Sequence, residues 1–293
     1  MLTLIVQLMI EGMGMGLVFV LLAAGLVLIL QIPRVFFIAY GQFYMLGAYT
    51  VWWGTITLKL PFFVSLFLSV LATFILGAIS YRLIFYYTQR LRNNFMPVVV
   101  AAMGVMIIMQ QGALLLFGPS SRGMPSEFPG MLKAGSILIS VEKLVLICLA
   151  LLVTWILYLV LQKTKVGMAM RAISFRADVS RLQGINPTII YMVTMGIGCG
   201  LAGFAGAIMA PVYAISPDMG GIILTVLLVI LLGGMGSMLG AVLGGLILGM
   251  TLSFGHYFIG ADLAQIAFFM VMGVILFFRP GGLFGQTEDE LFS

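Results

Sequence analysis

The segment from Arg171 to Thr188 carries side chains that could dock onto another protein. Read as a helix, it has a polar stripe at steps of three or four residues, formed by Arg171, Ser174, Asp178 and Arg181. A neighbouring apolar stripe with the same steps is formed by Ala172, Phe175, Val179 and Leu182. Such a surface combines charge complementarity with burial of apolar area, which is the chemistry of noncovalent recognition.

The residues after these stripes predict where the helix ends and the next one begins. Gly184 suits the position just past a helix C-terminus, Asn186 suits an N-cap, and Pro187 suits a first helical turn. We therefore predict one short amphipathic helix at about 168–184 that leads directly into a longer apolar helix. It could lie on a lipid surface, or it could press its apolar stripe into the groove of a partner and transmit motion to residues 187–210.

The composition places the rest of the chain in a membrane. Of its 293 residues, 62% are hydrophobic and 8% are charged, whereas a soluble domain has about 25% charged residues. We predict a single transmembrane domain over residues 1–284 and an acidic C-terminal tail over 285–293. The net charge of +5 comes from residues beside apolar runs, with no basic groove interleaved with aromatic residues, so nucleic acid is not an expected partner.

The apolar runs predict an all-α, polytopic membrane protein with about eight or nine transmembrane helices, since a span needs roughly 20 residues. Six runs of spanning length lie at about 2–30, 36–57, 61–87, 95–117, 141–162 and 187–210. A longer run near 221–255 is interrupted by Gly233, Gly234 and Gly236. We predict a glycine-broken hairpin there, with legs at 221–232 and 237–255, and a last helix at about 261–279.

Small residues predict which helix faces pack tightly, because helices in lipid associate through close backbone approach. Glycines recur at steps of three or four residues in two stretches of the chain. The first stretch contains Gly196, Gly200, Gly203 and Gly206, and the second contains Gly236, Gly240, Gly244, Gly245 and Gly249.

The distribution of Lys and Arg predicts the orientation, because cytoplasmic loops are enriched in both. Placing residues 162–186 inside puts ten of the 14 Lys and Arg residues on the cytoplasmic side. The four left outside are Lys59, Arg122, Lys133 and Lys143. This arrangement has a periplasmic N-terminus and a cytoplasmic C-terminus.

The spans contain almost no residues that could perform catalysis or carry protons. Glu11, Glu142, Asp218 and Asp262 lie near span ends or in outer loops, as does the only histidine, His256. We find no phosphate-binding GxxxxGK[ST] loop, no metal-ligand spacing and no nucleophile–base pair. We therefore expect no enzymatic activity, no bound metal and no cofactor. If the chain moves a solute uphill, another subunit must supply the energy.

Three stretches resemble the permeases of ATP-binding-cassette importers of the branched-chain amino-acid type, the LivH and LivM class. They are residues 167–209 (GMAMRAISFRADVSRLQGINPTIIYMVTMGIGCGLAGFAGAIM), 231–250 (LLGGMGSMLGAVLGGLILGM) and 37–49 (FIAYGQFYMLGAY). The chain length, without a large extra domain, is closer to the LivH subunit.

The resemblance implies partners that composition does not show. These are a second, LivM-like permease, two cytoplasmic ATPase subunits that would carry ATP and Mg, and a periplasmic substrate-binding protein, all at a bacterial inner membrane. The helix at 168–184 would be a cytoplasmic coupling helix seated on an ATPase. The residues carried over to that role are Arg171, Ala172, Phe175, Asp178, Arg181, Gly184 and Ile185.

The substrate pathway should be lined by small and uncharged polar residues. The candidates are Tyr40, Gly41, Gln42 and Tyr44 near the start of one span, and Gly233, Gly234 and Ser237 at the hairpin break. The resembling family often has histidine where this chain has Tyr40, so the solute could be a branched-chain amino acid, an aromatic acid, an amide or urea. Tyr40 and Gln42 could equally form hydrogen bonds between helices. A passive channel for small polar solutes is the alternative function.

Overall fold

The computed structural model describes residues 2–89, 95–125, 130–134, 137–234 and 236–260. Beyond these, it describes Leu263, Ala264, Ile266, Phe269, Met270, Gly273, Val274, Phe277 and Gly282. The predicted acidic tail at 285–293, and most of the predicted last helix at 261–279, lie outside the described residues.

The described chain is almost entirely helical. The α-helices are α1 (Leu2–Gln31), α2 (Tyr40–Trp52), α3 (Phe62–Ser80), α4 (Tyr86–Thr88), α5 (Phe95–Phe117), α6 (Val141–Lys163), α7 (Lys165–Phe175), α8 (Ala177–Leu182), α9 (Pro187–Met209), α10 (Ile222–Gly233) and α11 (Met238–Phe258). Two π-helical turns, Trp53–Thr57 and Tyr81–Phe85, extend α2 and α3, and a 3₁₀ turn, Pro217–Gly221, precedes α10.

One short β-hairpin interrupts the helical pattern. Strands β1 (Met131–Ala134) and β2 (Ile137–Ser140) pair antiparallel, with Met131 opposite Ser140. The predicted all-α class is therefore confirmed for the architecture, with this hairpin as an addition that the sequence did not predict.

Six helices in the described part are long and apolar enough to cross a membrane. They are Leu4–Gln31, Phe62–Thr88, Met96–Phe117, Val141–Lys163, Pro187–Met209 and Met238–Phe258. The predicted total of eight or nine is not confirmed. α2 has 13 residues and the π-helical turn that follows adds five, so together they are roughly 27 Å long, close to a hydrocarbon core of roughly 30 Å. α10 has only 12 residues.

The chain forms two compact units and passes between them four times: within α1, α6 and α10, and between Pro125 and Ser126. Unit 1 contains Met1–Val27, Ser126–Leu152 and Leu224–Ser293, and unit 2 contains Leu28–Pro125 and Val153–Ile223. The prediction of one transmembrane domain stays a prediction.

In unit 1, α1 and α11 approach each other backbone to backbone. A Cβ atom on Gly249 would lie 2.2 Å from the Gly16 nitrogen, and one on Gly12 would lie 2.9 Å from the Met250 Cα. The Ser253 hydroxyl donates to the Leu8 carbonyl at 2.8 Å, and Lys143 forms an ion pair with Glu11. Glycine therefore fixes this helix pair at a separation that no other residue permits.

In unit 2, α2 packs against α3 and α9 through an interface of glycine and aromatic residues. A Cβ atom on Gly47 would lie 2.0 Å from the Gly203 carbonyl oxygen, and one on Gly206 would lie 1.9 Å from that of Tyr44. Around these contacts lie fully buried rings, including Phe37, Phe43 and Phe85. The tight packing predicted for the glycine steps of α9 is confirmed at Gly196, Gly203 and Gly206, and that of α11 at Gly240, Gly244, Gly245 and Gly249.

Candidate functional site

The segment predicted to dock onto a partner, residues 168–184, consists of two helices. We call it the docking segment. α7 ends at Phe175 and α8 begins at Ala177, because Arg176 adopts an extended backbone with φ −148° and ψ 103°. The prediction of one uninterrupted helix over 168–184 is therefore wrong. The polar and apolar stripes do not continue in helical register across Arg176, so the surface has to be read from the exposed side chains.

Five large apolar side chains of α7 and α8 are exposed, Val166 and Met168 near the start and three more in the stretch 175–182. Phe175 is 84% exposed, Leu182 is 89% exposed and Val179 is 45% exposed. We call these three residues the docking cluster. On the opposite side, Met170 and Ile173 are buried. The segment thus has an inner face that holds it to the protein and an outer face that is apolar and open.

Basic residues are interspersed along the sequence of the same segment and just before it. Lys163, Lys165, Arg171, Arg176 and Arg181 are all exposed. Arg171 is fastened back to the end of α6, since its guanidinium donates to the Gln162 side-chain oxygen at 3.1 Å and to the Gln162 carbonyl at 3.3 Å. The predicted contact of Arg171 with a partner therefore competes with a structural role. The side chain of Asp178 lies outside the described part of the structure.

Ser180 is a positioning residue that was not identified from the sequence. It is 3% exposed, its hydroxyl donates to the Arg176 carbonyl at 3.0 Å, and its own carbonyl accepts from the Ile185 amide at 3.1 Å. The serine between Val179 and Arg181 could have indicated this role, because a small polar residue can bond to the backbone and still be buried.

Both ends of the segment are capped, and only the residues at its C-terminal end were predicted from the sequence. The Thr164 hydroxyl accepts from the Gly167 amide at 3.1 Å and begins α7. Gly184 has a φ of 79°, and the Asn186 side chain accepts from the Thr188 amide at 3.1 Å to begin α9, with Pro187 in the first turn. The predicted roles of Gly184, Asn186 and Pro187 are confirmed.

We expect Asn186→Ala to destabilise the start of α9 by about 1 kcal/mol, because the Thr188 amide loses its acceptor. Asn186→Asp keeps an acceptor oxygen and should retain most of the stability. Thermal unfolding of the purified chain in detergent measures the difference. Equal midpoints for the Ala and Asp variants would contradict the cap.

The pathway candidates on α2 are core residues of unit 2. Tyr40 and Gly41 are buried, Gln42 is 4% exposed and Tyr44 is buried. A Cβ on Gly41 would lie 2.0 Å from the Gly220 carbonyl oxygen. A Cβ on Gly220 would lie 2.2 Å from Nε2 of the Gln42 side chain. The start of α2 therefore presses on the 3₁₀ turn, and in this conformation these side chains are packed against protein.

The other pathway candidates form the break between α10 and α11 in unit 1. Gly234 and Gly236 have φ values of 100° and 98°, which favour glycine. A Cβ on Gly233 would lie 2.3 Å from the Gly240 carbonyl carbon, so the two helices touch where they meet. The Ser237 hydroxyl accepts from the Gly240 amide at 3.0 Å and so caps α11.

The described residues contain no group of His, Cys, Asp or Glu side chains that could hold a metal ion. Cys199 is buried and Cys148 is exposed.

Six long apolar helices in the described part of the chain are typical of a polytopic membrane protein. The family profile described as the permease component of branched-chain amino acid transport systems matches residues 8–279, and the chain belongs to this family. It is a multi-pass membrane protein.

Curated relatives align along almost the whole chain. The chain is 28% identical over 298 residues to the high-affinity branched-chain amino acid transport system permease protein BraD of Pseudomonas aeruginosa, covering 97% of each protein. It is 26% identical over 299 residues to the corresponding LivH proteins of Salmonella typhimurium and Escherichia coli, covering 97% of this chain and 96% of each relative. No solved structure matches the chain.

Proposed function

We propose that this chain is a permease subunit of an ATP-driven importer for branched-chain amino acids or related small carboxylates. It would lie in a bacterial inner membrane, with a periplasmic N-terminus and a cytoplasmic C-terminus. A second, LivM-like permease, two cytoplasmic ATPase subunits and a periplasmic binding protein would complete the transporter. ATP and Mg would bind to the ATPases.

The observation that carries this proposal is the docking cluster. Phe175 and Leu182 are more than four-fifths exposed, although the segment that bears them is fixed at both ends by side-chain caps. Leaving such side chains uncovered in water is unfavourable by about 1.5–3 kcal/mol for each one. A fixed apolar surface on a segment interspersed with basic residues fits a partner groove that is apolar with an acidic rim.

The connection from α8 to α9 gives this surface a mechanical consequence. Gly184 and Asn186 join the two helices through a short turn, and α9 then packs against α2 through Gly203 and Gly206. A displacement of the docked segment would therefore move α9 as a rigid element and act on the start of α2. The pathway would open where α2 now presses on the turn that contains Gly220.

The pathway itself would use neutral groups. Gln42 and the tyrosines Tyr40 and Tyr44 would meet the solute when α2 moves, and the hairpin of α10 and α11 would supply backbone groups at Gly233, Gly234 and Ser237. Neutral polar groups can accompany a zwitterion without holding it tightly, which favours its release.

The deciding experiment is affinity purification of the tagged chain from its native membranes. We expect ATPase subunits to co-purify, and we expect the reconstituted complex to accumulate solute only when ATP is present. A stable oligomer of this chain that lacks ATPases and passes solute without ATP would instead establish the passive channel.

Within that complex, Asp178→Ala combined with Arg181→Ala should lower solute-stimulated ATP hydrolysis and uptake together. The expected loss is about tenfold, because charged pairs at an interface contribute on the order of 1–2 kcal/mol. Membrane insertion should not change. The yield of monodisperse protein measures it. Hydrolysis at the wild-type rate would show that these two residues are not part of the docking surface.

A further inference from the structure

A polar and aromatic cluster lies where α2 and α5 end, within unit 2. The guanidinium of Arg122 lies over the ring of Trp52, with 4.4 Å from Cζ to the ring centroid, and donates to the Phe117 carbonyl at 2.6 Å. The ring of Tyr49 stacks on that of Phe117 at a centroid distance of 4.4 Å. The backbone of Arg122 also pairs with Ile215 through two hydrogen bonds of 2.8 Å. These contacts make the cluster rigid.

Two hydrogen-bond donors in this cluster have no acceptor among the described residues. They are the hydroxyl of Tyr49, a residue only 1% exposed, and the Nε of Arg122. Buried donors without an acceptor are unfavourable, so each of them calls for a partner that the described residues do not supply. Both groups can donate to the same kind of ligand atom, an anionic oxygen.

A carboxylate completes the cluster. Asp218 is exposed and accepts a long hydrogen bond of 3.4 Å from the Gln110 side-chain amide. A carboxylate can accept about four hydrogen bonds, so Asp218 retains capacity for a cation. Asp218 lies three residues after Ile215, which pairs with the backbone of Arg122, and Asp218 and Arg122 both act electrostatically on the Tyr49 hydroxyl.

We propose that this cluster is a binding site for the zwitterionic head of a free α-amino acid. The Tyr49 hydroxyl and the Arg122 Nε would receive the carboxylate, and Asp218 would receive the ammonium group. The inference rests on the proposed function and narrows its substrate class. A zwitterion satisfies both donors and balances both charges, whereas urea and simple amides have neither charge, and an aromatic acid without an amino group leaves Asp218 without a cation.

The rings of Trp52 and Phe117 strengthen the assignment. They surround the polar groups with apolar area, and exclusion of water makes hydrogen bonds to charged groups stronger. The same rings offer an apolar surface to the side chain of the amino acid.

Binding of radiolabelled L-leucine to the purified full-length chain in lipid nanodiscs tests the site. The informative variant is Tyr49→Phe, because it removes the hydroxyl and keeps the ring that stacks on Phe117. We expect its affinity for leucine to fall about tenfold or more, as for loss of a hydrogen bond to a charged group. Arg82→Gln is the matched control, since Arg82 also lies over a ring, that of Tyr86 at 4.8 Å, and should leave binding unchanged.

Two analogues of leucine test the contributions of the carboxylate and the ammonium group separately. Isovalerate carries only the carboxylate, and isoamylamine carries only the ammonium group. Asp218→Asn should weaken leucine and isoamylamine about tenfold and leave competition by isovalerate unchanged. Wild-type leucine affinity in the Tyr49→Phe variant, equal effects of Asp218→Asn on both analogues, or no leucine binding by the wild-type chain would each overturn the proposal.

The two proposals can fail separately. If the purified complex accumulates leucine with ATP and Tyr49→Phe changes neither binding nor the concentration for half-maximal uptake, the amino-acid site is wrong and the importer stands. If no ATPase co-purifies and the nanodisc chain still binds leucine through Tyr49, the importer is wrong and the site stands.

Discussion

Leu182→Ser should reduce ATP-dependent uptake by roughly 30-fold or more while the chain remains folded in the membrane. The Leu182 side chain is 89% exposed, so its loss removes almost nothing from the protein core. In the assembled transporter it would be a buried apolar anchor, and loss of such an anchor weakens an interface by about 2 kcal/mol or more. Uptake into proteoliposomes and the amount of co-purified ATPase measure the two consequences.

The control for this variant is Leu115→Ser. Leu115, on α5, is 88% exposed and lies outside the docking cluster. Its replacement by serine removes the same chemical groups as Leu182→Ser. Uptake by this variant should stay within about twofold of wild type, since single exposed substitutions rarely have large effects. Equal losses in both variants, or full uptake by Leu182→Ser, would contradict the docking role.

Turn and cap residues were predictable from the sequence because their chemistry is local. Gly184, Asn186 and Pro187 each act on the backbone within one helical turn, and each has the predicted role. The break at Arg176 was not predictable, because residues 168–183 contain neither proline nor glycine. An extended residue inside a helical pattern has to be imposed by surrounding structure, such as the buried Ser180 that bonds to the Arg176 carbonyl.

Burial was less predictable than helix position. In lipid, a helix that faces other helices and one that faces the bilayer are both apolar, so composition does not separate them. The apolar pattern around Tyr40 and Gln42 was compatible with a pathway and with interhelical packing, and in this conformation both residues are packed inside unit 2. Glycine spacing was more informative, since it predicted the close-packed faces of α9 and α11, although it did not identify their partner helices.

The cluster around Arg122 required the structure. Tyr49, Trp52 and Phe117 read as ordinary apolar residues near span ends, and Arg122 lies in a loop after α5. Only the fold brings the guanidinium over Trp52 and leaves two donors without acceptors. The sequence gives the residue types of such a site, whereas long-range contacts decide whether they meet.

Both proposed activities depend on α2 and its contact with α9. α2 carries the pathway candidates near its start and Tyr49 and Trp52 near its end, and its middle touches α9 at Gly47. A signal that arrives at α9 from the docking segment therefore reaches both regions through one helix pair. The separation of these two helices is the structural quantity on which coupling depends.

Gly47→Ala should be among the most destabilising single methyl additions in unit 2. The new Cβ would lie 2.0 Å from the Gly203 carbonyl oxygen and 2.5 Å from the Gly203 Cα, far inside van der Waals contact. Both atoms belong to backbone, so no side chain can rotate away and the helices must separate. We expect a loss of about 3 kcal/mol or more, which corresponds to a fall in the thermal midpoint on the order of 10 °C.

Gly104→Ala is the control, because Gly104 also lies inside an apolar helix and has no atom within 4 Å of a Cβ added there. It should be neutral or slightly stabilising, since alanine favours a helix more than glycine does. Fluorescence-detected size exclusion after heating compares the two. Because α2 and α9 would be forced apart, Gly47→Ala protein that survives at low temperature should also have lost ATP-dependent uptake. Equal midpoints for the two variants would mean that the two backbones are not in contact at Gly47, and the proposed transmission from α9 to α2 would lose its basis.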